Sequence, residues 1–207
     1  MVETRSRFSY YDRLSAKNKA IYRRSDAVTQ VALPEGAGLQ AELRVAAAAA
    51  ARALDAGKPS LVRTQAQKIC DLITSSLGTE RVAVKVLRVR PQRSFGELHG
   101  LYTRDDGAEP ALRVWMRTAQ RADVVRPRTL LRTLVHELCH HLDYAHYRLG
   151  ESFHNPGFFS RESSLMRLLT PDGRAGTGFE AASVPRAPEP SADAPSAAPD
   201  QLRLPGF

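Results

Sequence analysis

Cysteine is scarce in this chain of 207 residues: only Cys70 and Cys139 occur. Two thiols so far apart supply neither a disulfide framework nor the paired spacing of a zinc knuckle. A reducing, cytoplasmic compartment is the simplest expectation. Long apolar runs are missing as well. No stretch approaches the roughly 18 uninterrupted apolar residues that a membrane-spanning helix needs. The alanine run Ala46–Ala51 is short and bracketed by Arg44 and Arg52, so it reads as a helix in water, and no membrane partner is expected. The opening MVETRSRFSYYDRLSAKNK lacks the apolar core of a secretory signal. Acidic residues are outnumbered, 22 Asp and Glu against 30 Lys and Arg, leaving a net charge of +8. That balance favours contact with polyanions, DNA among them. The excess arginine is spread along the whole chain, however, and a solvated basic surface is the plainer account.

What is present divides the chain into three. Residues 1–35 read as a basic, flexible N-terminal arm with a helical turn around Tyr10–Ala20. From Pro171 to residue 207 the chain is rich in Pro, Ala, Ser and Gly. It has too few large apolar residues to offset the entropy of ordering, and a disordered tail is expected. Between them, residues 36–170 carry alternating patterns. Leu39–Ala56 is helix-forming, with Gly57 and Pro59 as its stop. Ser60 is placed to cap a second helix through Leu77, with Val62, Ala66, Ile69 and Ile73 on one face. RVAVKVLRVR then switches to period two, and FGELHGLYTRDDGAEPALRVWMR reads as two strands about a turn at Asp105–Pro110. A helix over about Arg128–Arg148 and another from Asn155 to just before Pro171 complete an α+β domain.

Five of the six histidines fall in LVHELCHHLDYAHYRLGESFHNPGF, Leu134–Phe158. The segment HELCH fits H-E-x-x-H. Residues four apart on a helix project from one face, so His136 and His140 can grip one tetrahedral Zn²⁺ from adjacent turns. Neutral imidazoles leave the ion's charge largely unquenched, which acidifies a water held there, and Glu137 is close enough in sequence to take its proton. Leu131, Leu134, Leu138, Leu142, Ala145 and Leu149 gather on the opposite side, so one face packs and the other presents ligands. A third donor is needed. His154 is preferred, because it follows the break at Gly150–Phe153 and precedes the next helix. Glu162 and Asp143 are the alternatives, and Asp143 better suits a role behind an imidazole, holding its free N–H. His99, His141 and His146 lie off the ligand face and are expected to be structural or solvated. Cys139 is expected to be a small buried thiol, and Tyr147 a packing residue.

At TLVHELCHHLDY and FHNPGFF the segment from about Val82 to Leu169 resembles the SprT-like zinc metallopeptidases, the group that includes the Spartan-type proteases. The resemblance implies a zincin-like fold: a small, mostly antiparallel sheet packed on the HExxH helix and a following helix, here with two N-terminal helices added. It also implies His136, His140 and His154 as zinc ligands and Glu137 as the catalytic acid/base. ALRVWMR looks like the strand before the active-site helix, and in such folds an edge strand aligns an extended substrate. The paired cysteines of the zinc ribbon that bacterial members often carry are missing from this chain. The expected function is therefore a zinc-dependent metallopeptidase acting on protein or peptide substrates, including DNA-associated proteins. Its competitor is a catalytically inactive zinc-stabilised module that binds nucleic acid or protein. Oligomeric state is not legible in the sequence.

Overall fold

The computed structural model describes residues 8–34, 36–93, 96–105 and 107–170. A 3-10 turn at Tyr11–Arg13 leads into α1 (Ala16–Ala27), followed by α2 (Ala37–Asp55) and α3 (Pro59–Ser76). Five strands follow: β1 (Ala83–Val89), β2 (Gln92–Arg93), β3 (Gly96–Glu97), β4 (Gly100–Thr103) and β5 (Ala111–Arg117). Helices α4 (Pro127–Ala145) and α5 (Pro156–Leu169) close the described chain. The architecture is α+β, as the pattern of periods implies. None of these helices is long and apolar enough to cross a membrane.

Helix α2 buries Leu43, Ala46, Ala47, Ala50, Ala53 and Leu54, the three-and-four spacing of one helical face. Small alanines let α3 approach closely, and the two form a helical hairpin. Gly57 closes α2 at a φ of +63°, a backbone conformation that costs glycine little. The cap expected at Ser60 is not used. Pro59 occupies the first helical position, where its fixed φ suits the helix and its missing N–H costs nothing, and Lys58 is the N-cap without a side-chain bond.

The sheet is mixed rather than mostly antiparallel. Its order is β1-β5-β4, with β1 parallel to β5 (Val84 opposite Leu112) and β4 antiparallel to β5 (Tyr102 opposite Leu112). Period-two patterning fixes which faces are buried but not the direction of pairing. ALRVWMR, as β5, is thus the interior strand, buried on both faces, and β4 is an edge. Gln67 of α3 secures the outer rim of β1: its amide accepts from the Val84 N–H at 2.7 Å and donates to the Val82 carbonyl at 2.9 Å. Helix α4 lies across β4 and β5 and packs on α5 and α2. Its Leu134, Leu138 and Leu142 join Leu112, Val114, Phe158 and Leu165 in the main core.

The N-terminal arm is also different from the expectation. Over residues 8–34 it is a folded part of the domain, with α1 packed on α5. Tyr11, Ile21 and Tyr22 bury against Leu149 and Phe153 in a second, smaller core, while the basic Lys17, Arg23 and Arg24 face solvent. Leu149 therefore does not extend the packing face of α4. The helix ends at Ala145, Arg148 takes a φ of +51°, and Leu149 turns towards α1 instead. The tail from Pro171 lies outside the described residues.

Candidate metal centre

Helix α4 carries its leucines inward, which leaves His136 and His140 half-buried on the other side, one turn apart. After α4 the chain reverses through residues 146–155. Asn155 caps α5, its side-chain oxygen accepting from the Phe158 N–H at 2.8 Å. That reversal returns His154 to the face of α4. Its Nε2 lies 3.0 Å from Nε2 of His136 and 3.0 Å from Nε2 of His140. The three residues form a group whose donor atoms all lie within 4.8 Å of one another and which can hold a metal ion. One N–H can be aimed well at one lone pair but not at two, so three converging ring nitrogens are best satisfied by a shared cation.

Behind the imidazoles, each partner fixes a tautomer. His136 Nδ1 lies 3.0 Å from Glu162 Oε2, and the other Glu162 oxygen accepts from Arg132 Nε at 2.6 Å. His140 Nδ1 lies 2.8 Å from the Ser152 hydroxyl, which donates to Asp143 Oδ2 at 2.7 Å. With Nδ1 donating in both rings, the Nε2 lone pairs face the common centre. Burial pushes the His154 imidazole down to about 4, with His136 acting in the same direction. Burial, then His154 and His136, hold His140 well below its ordinary value. Both rings are therefore neutral at neutral pH. Phe158 packs against the three rings, its centroid 4.8–5.0 Å from theirs, and supplies an apolar wall.

Glu137 is buried. Desolvation raises its carboxyl to about 7, against the opposing pull of His136 and of the Tyr102 backbone N–H. The edge strand β4 comes so close that a Cβ on Gly100 would overlap Glu137 Oε1 and lie 2.7 Å from both its Cγ and the Thr133 methyl. Only glycine leaves room for the carboxylate there.

Of the candidates read from the sequence, His136, His140 and His154 come together, with Glu137 next to them on α4. Glu162 and Asp143, the alternative third donors, stand behind the rings, Glu162 directly on His136 and Asp143 through Ser152 on His140. His141 is buried and structural, with Nε2 2.8 Å from the Glu80 carbonyl and Nδ1 3.3 Å from the Tyr102 hydroxyl. His146 meets Tyr147 edge to face, and the Tyr147 ring packs under the Arg161 guanidinium at 5.4 Å. Cys139 is a buried free thiol. Sequence reasoning missed Ser152 and Arg161. For Ser152 no signal exists. Arg161 had one: it shares a helical face with Phe158 and Leu165, and an arginine in an apolar stripe must find a partner. Here that partner is Asp143, at 2.8 Å. No family model, curated protein or solved structure matches this chain.

Proposed function

We propose that this protein is a zinc-dependent peptidase of the SprT-like kind. The observation that carries the reading is the convergence of three imidazole nitrogens beside a buried carboxylate. The donor set fits zinc: tetrahedral ligands at about 2.0–2.1 Å stand roughly 3.3 Å apart, close to the 3.0 Å spacings of His154 to its two neighbours. Three protein ligands leave one position free for substrate or water, as a catalytic site requires. Zinc bound there would polarise the scissile carbonyl and acidify water. Glu137 takes the proton of the attacking water and returns it to the departing amine. A carboxyl near 7 in the metal-free protein is poised for that exchange, and a cation nearby would draw it lower. His136 and His140 are held in register by Glu162 and Ser152, so the free side of the centre keeps one geometry. Substrate alignment by strand addition falls to β4, the edge beside Glu137, rather than to β5. The basic surface gives DNA-associated proteins as the substrate class to try first, a choice that a salt-dependent DNA affinity would support.

The test is Glu137→Gln. Purified protein should carry one zinc per chain with or without the substitution. Cleavage of an unfolded protein substrate should fall by about 10²–10⁴-fold in the variant, the usual worth of a general base, and stop on chelation. Undiminished cleavage by the variant would reject the mechanism. Zinc-loaded wild type without any proteolysis would leave the binding-module reading in its place.

A further inference from the structure

The metal centre does not end at α4 and α5. On both sides of His154 the chain is held by the N-terminal segment. Before it, Phe153 packs on Tyr22, with ring centroids 5.9 Å apart. At it, the Tyr10 hydroxyl donates to the His154 carbonyl at 2.9 Å. After it, Asn155 Nδ2 donates to the Tyr22 carbonyl at 3.1 Å, and the Gly157 N–H donates to Asp26 Oδ1 at 2.8 Å. One turn on, Arg161 donates to the carbonyls of Ser25 and Val28 at 2.6 and 2.7 Å and to the Ser25 hydroxyl at 3.0 Å. Nη2, which donates to that hydroxyl, also donates to Asp143, which holds Ser152 and through it His140.

Gly157 makes this approach possible. A Cβ there would lie 2.6 Å from the Asp26 Cα and from the carbonyl oxygens of Ser25 and Asp26. These are backbone atoms that cannot swing aside. Within α5 alone alanine is the better residue by about 1 kcal/mol. Glycine serves the contact with α1.

We propose that residues 8–28 are the positioning element of the third ligand: docking of α1 sets His154 on the α4 face, and metal binding in turn holds α1 down. This rests on the reading of the triad as a zinc site but not on peptidase activity. The backbone positions of His136 and His140 are set by one continuous helix. His154 sits in a connection, just before α5; its carbonyl accepts from Tyr10, and its neighbours Phe153 and Asn155 are both held by Tyr22 of α1. Linkage then requires reciprocity: whatever docking adds to zinc affinity, zinc adds to docking.

The experiment compares the full-length wild type with Gly157→Ala and Tyr10→Phe, using Lys17→Ala on the exposed side of α1 as the control. Zinc affinity is read by competition with a chromophoric chelator, and amide hydrogen exchange over residues 16–27 is followed with and without zinc. Gly157→Ala should weaken zinc binding by about 10–100-fold, the range seen when the supports of a metal ligand are removed. It should also speed exchange in α1 and abolish its slowing by zinc. Tyr10→Phe, which removes one hydroxyl from a folded protein, should act in the same direction by a few fold and decides the matter if Gly157→Ala does not fold. Lys17→Ala should match wild type. Faster exchange in α1 with unchanged zinc affinity would overturn the proposal while leaving the zinc site intact. Absence of zinc binding in wild type would overturn both.

Discussion

Glu137 and Gly100 are 37 positions apart in the sequence and have no free space between them in the fold. A carboxylate that must meet a water is usually held by donors. Here one side is held by the Tyr102 backbone N–H and another by the lack of a side chain on β4. Gly100→Ala should therefore leave zinc content and secondary structure unchanged while displacing the carboxylate. A displacement near 1 Å costs roughly 10²-fold in rate, so cleavage should fall by about that factor, with the loss in kcat rather than in KM. Wild-type kcat in this variant would show that Glu137 tolerates displacement and is not the base. The same pair shows how legibility varies at this scale. His136, Glu137 and His140 can be read from the sequence because helical geometry converts a spacing of four into a shared face. His154 could be proposed because the chain must turn back after α4; Glu162 and Asp143 were legible as alternative donors, and only Asp143 as a support behind an imidazole. Gly100 and Ser152 carry no local signature, since their roles exist only once a strand and a loop are laid against α4.

Elements were legible where burial follows one period. The alanine and leucine spacing in α2, the Val62–Ile73 face in α3 and the leucines of α4 each declare a helix that packs on one side. Of α1 only a helical turn around Tyr10–Ala20 was legible, because arginines and lysines dominate its composition, while Tyr22 and Ile21 bury against a loop rather than a second amphipathic face. The direction of β1 was hidden because parallel and antiparallel pairs share a period. Arg161 joins three elements at once: α5, which carries it, α4 through Asp143, and the last turn of α1. Arg161 and Asp143 are both fully buried. Burial raises the Asp143 carboxyl, and the Arg161 guanidinium opposes that rise. Arg161→Met should then strand a buried carboxylate and take a donor from the carbonyls of Ser25 and Val28, at about 3–5 kcal/mol. In a domain of this size that lowers Tm by on the order of 10 °C. Replacing both partners, Arg161→Met with Asp143→Leu, should recover much of the loss, because the uncompensated charge goes with its partner. Thermal unfolding of the two variants checks this; a single variant within about 1 kcal/mol of wild type would mean the pair contributes little.

At the scale of the whole fold, the described residues form two cores, one between the sheet and helices α2 to α5, the other between α1 and the α4–α5 connection. The histidine triad lies where they meet, since α4 belongs to the first and Leu149 and Phe153 to the second. An ion bound to His136, His140 and His154 would close the connection between α4 and α5 and tie the cores together. Its contribution follows mass action: free zinc at 100 times its dissociation constant adds about 2.7 kcal/mol to the folded state, provided the unfolded chain does not bind it. For a domain of this length that corresponds to a Tm shift of roughly 5–10 °C. Chelation should lower Tm by that amount, and restored zinc should reverse it. The variant His154→Ala should melt at one temperature whether or not chelator is present. The shift should also grow with zinc concentration, about 1.4 kcal/mol for each tenfold step, which separates binding at a site from a nonspecific salt effect. A melting temperature indifferent to both chelator and added zinc would leave three converging imidazoles without a cation, and with it the proposed chemistry would fall.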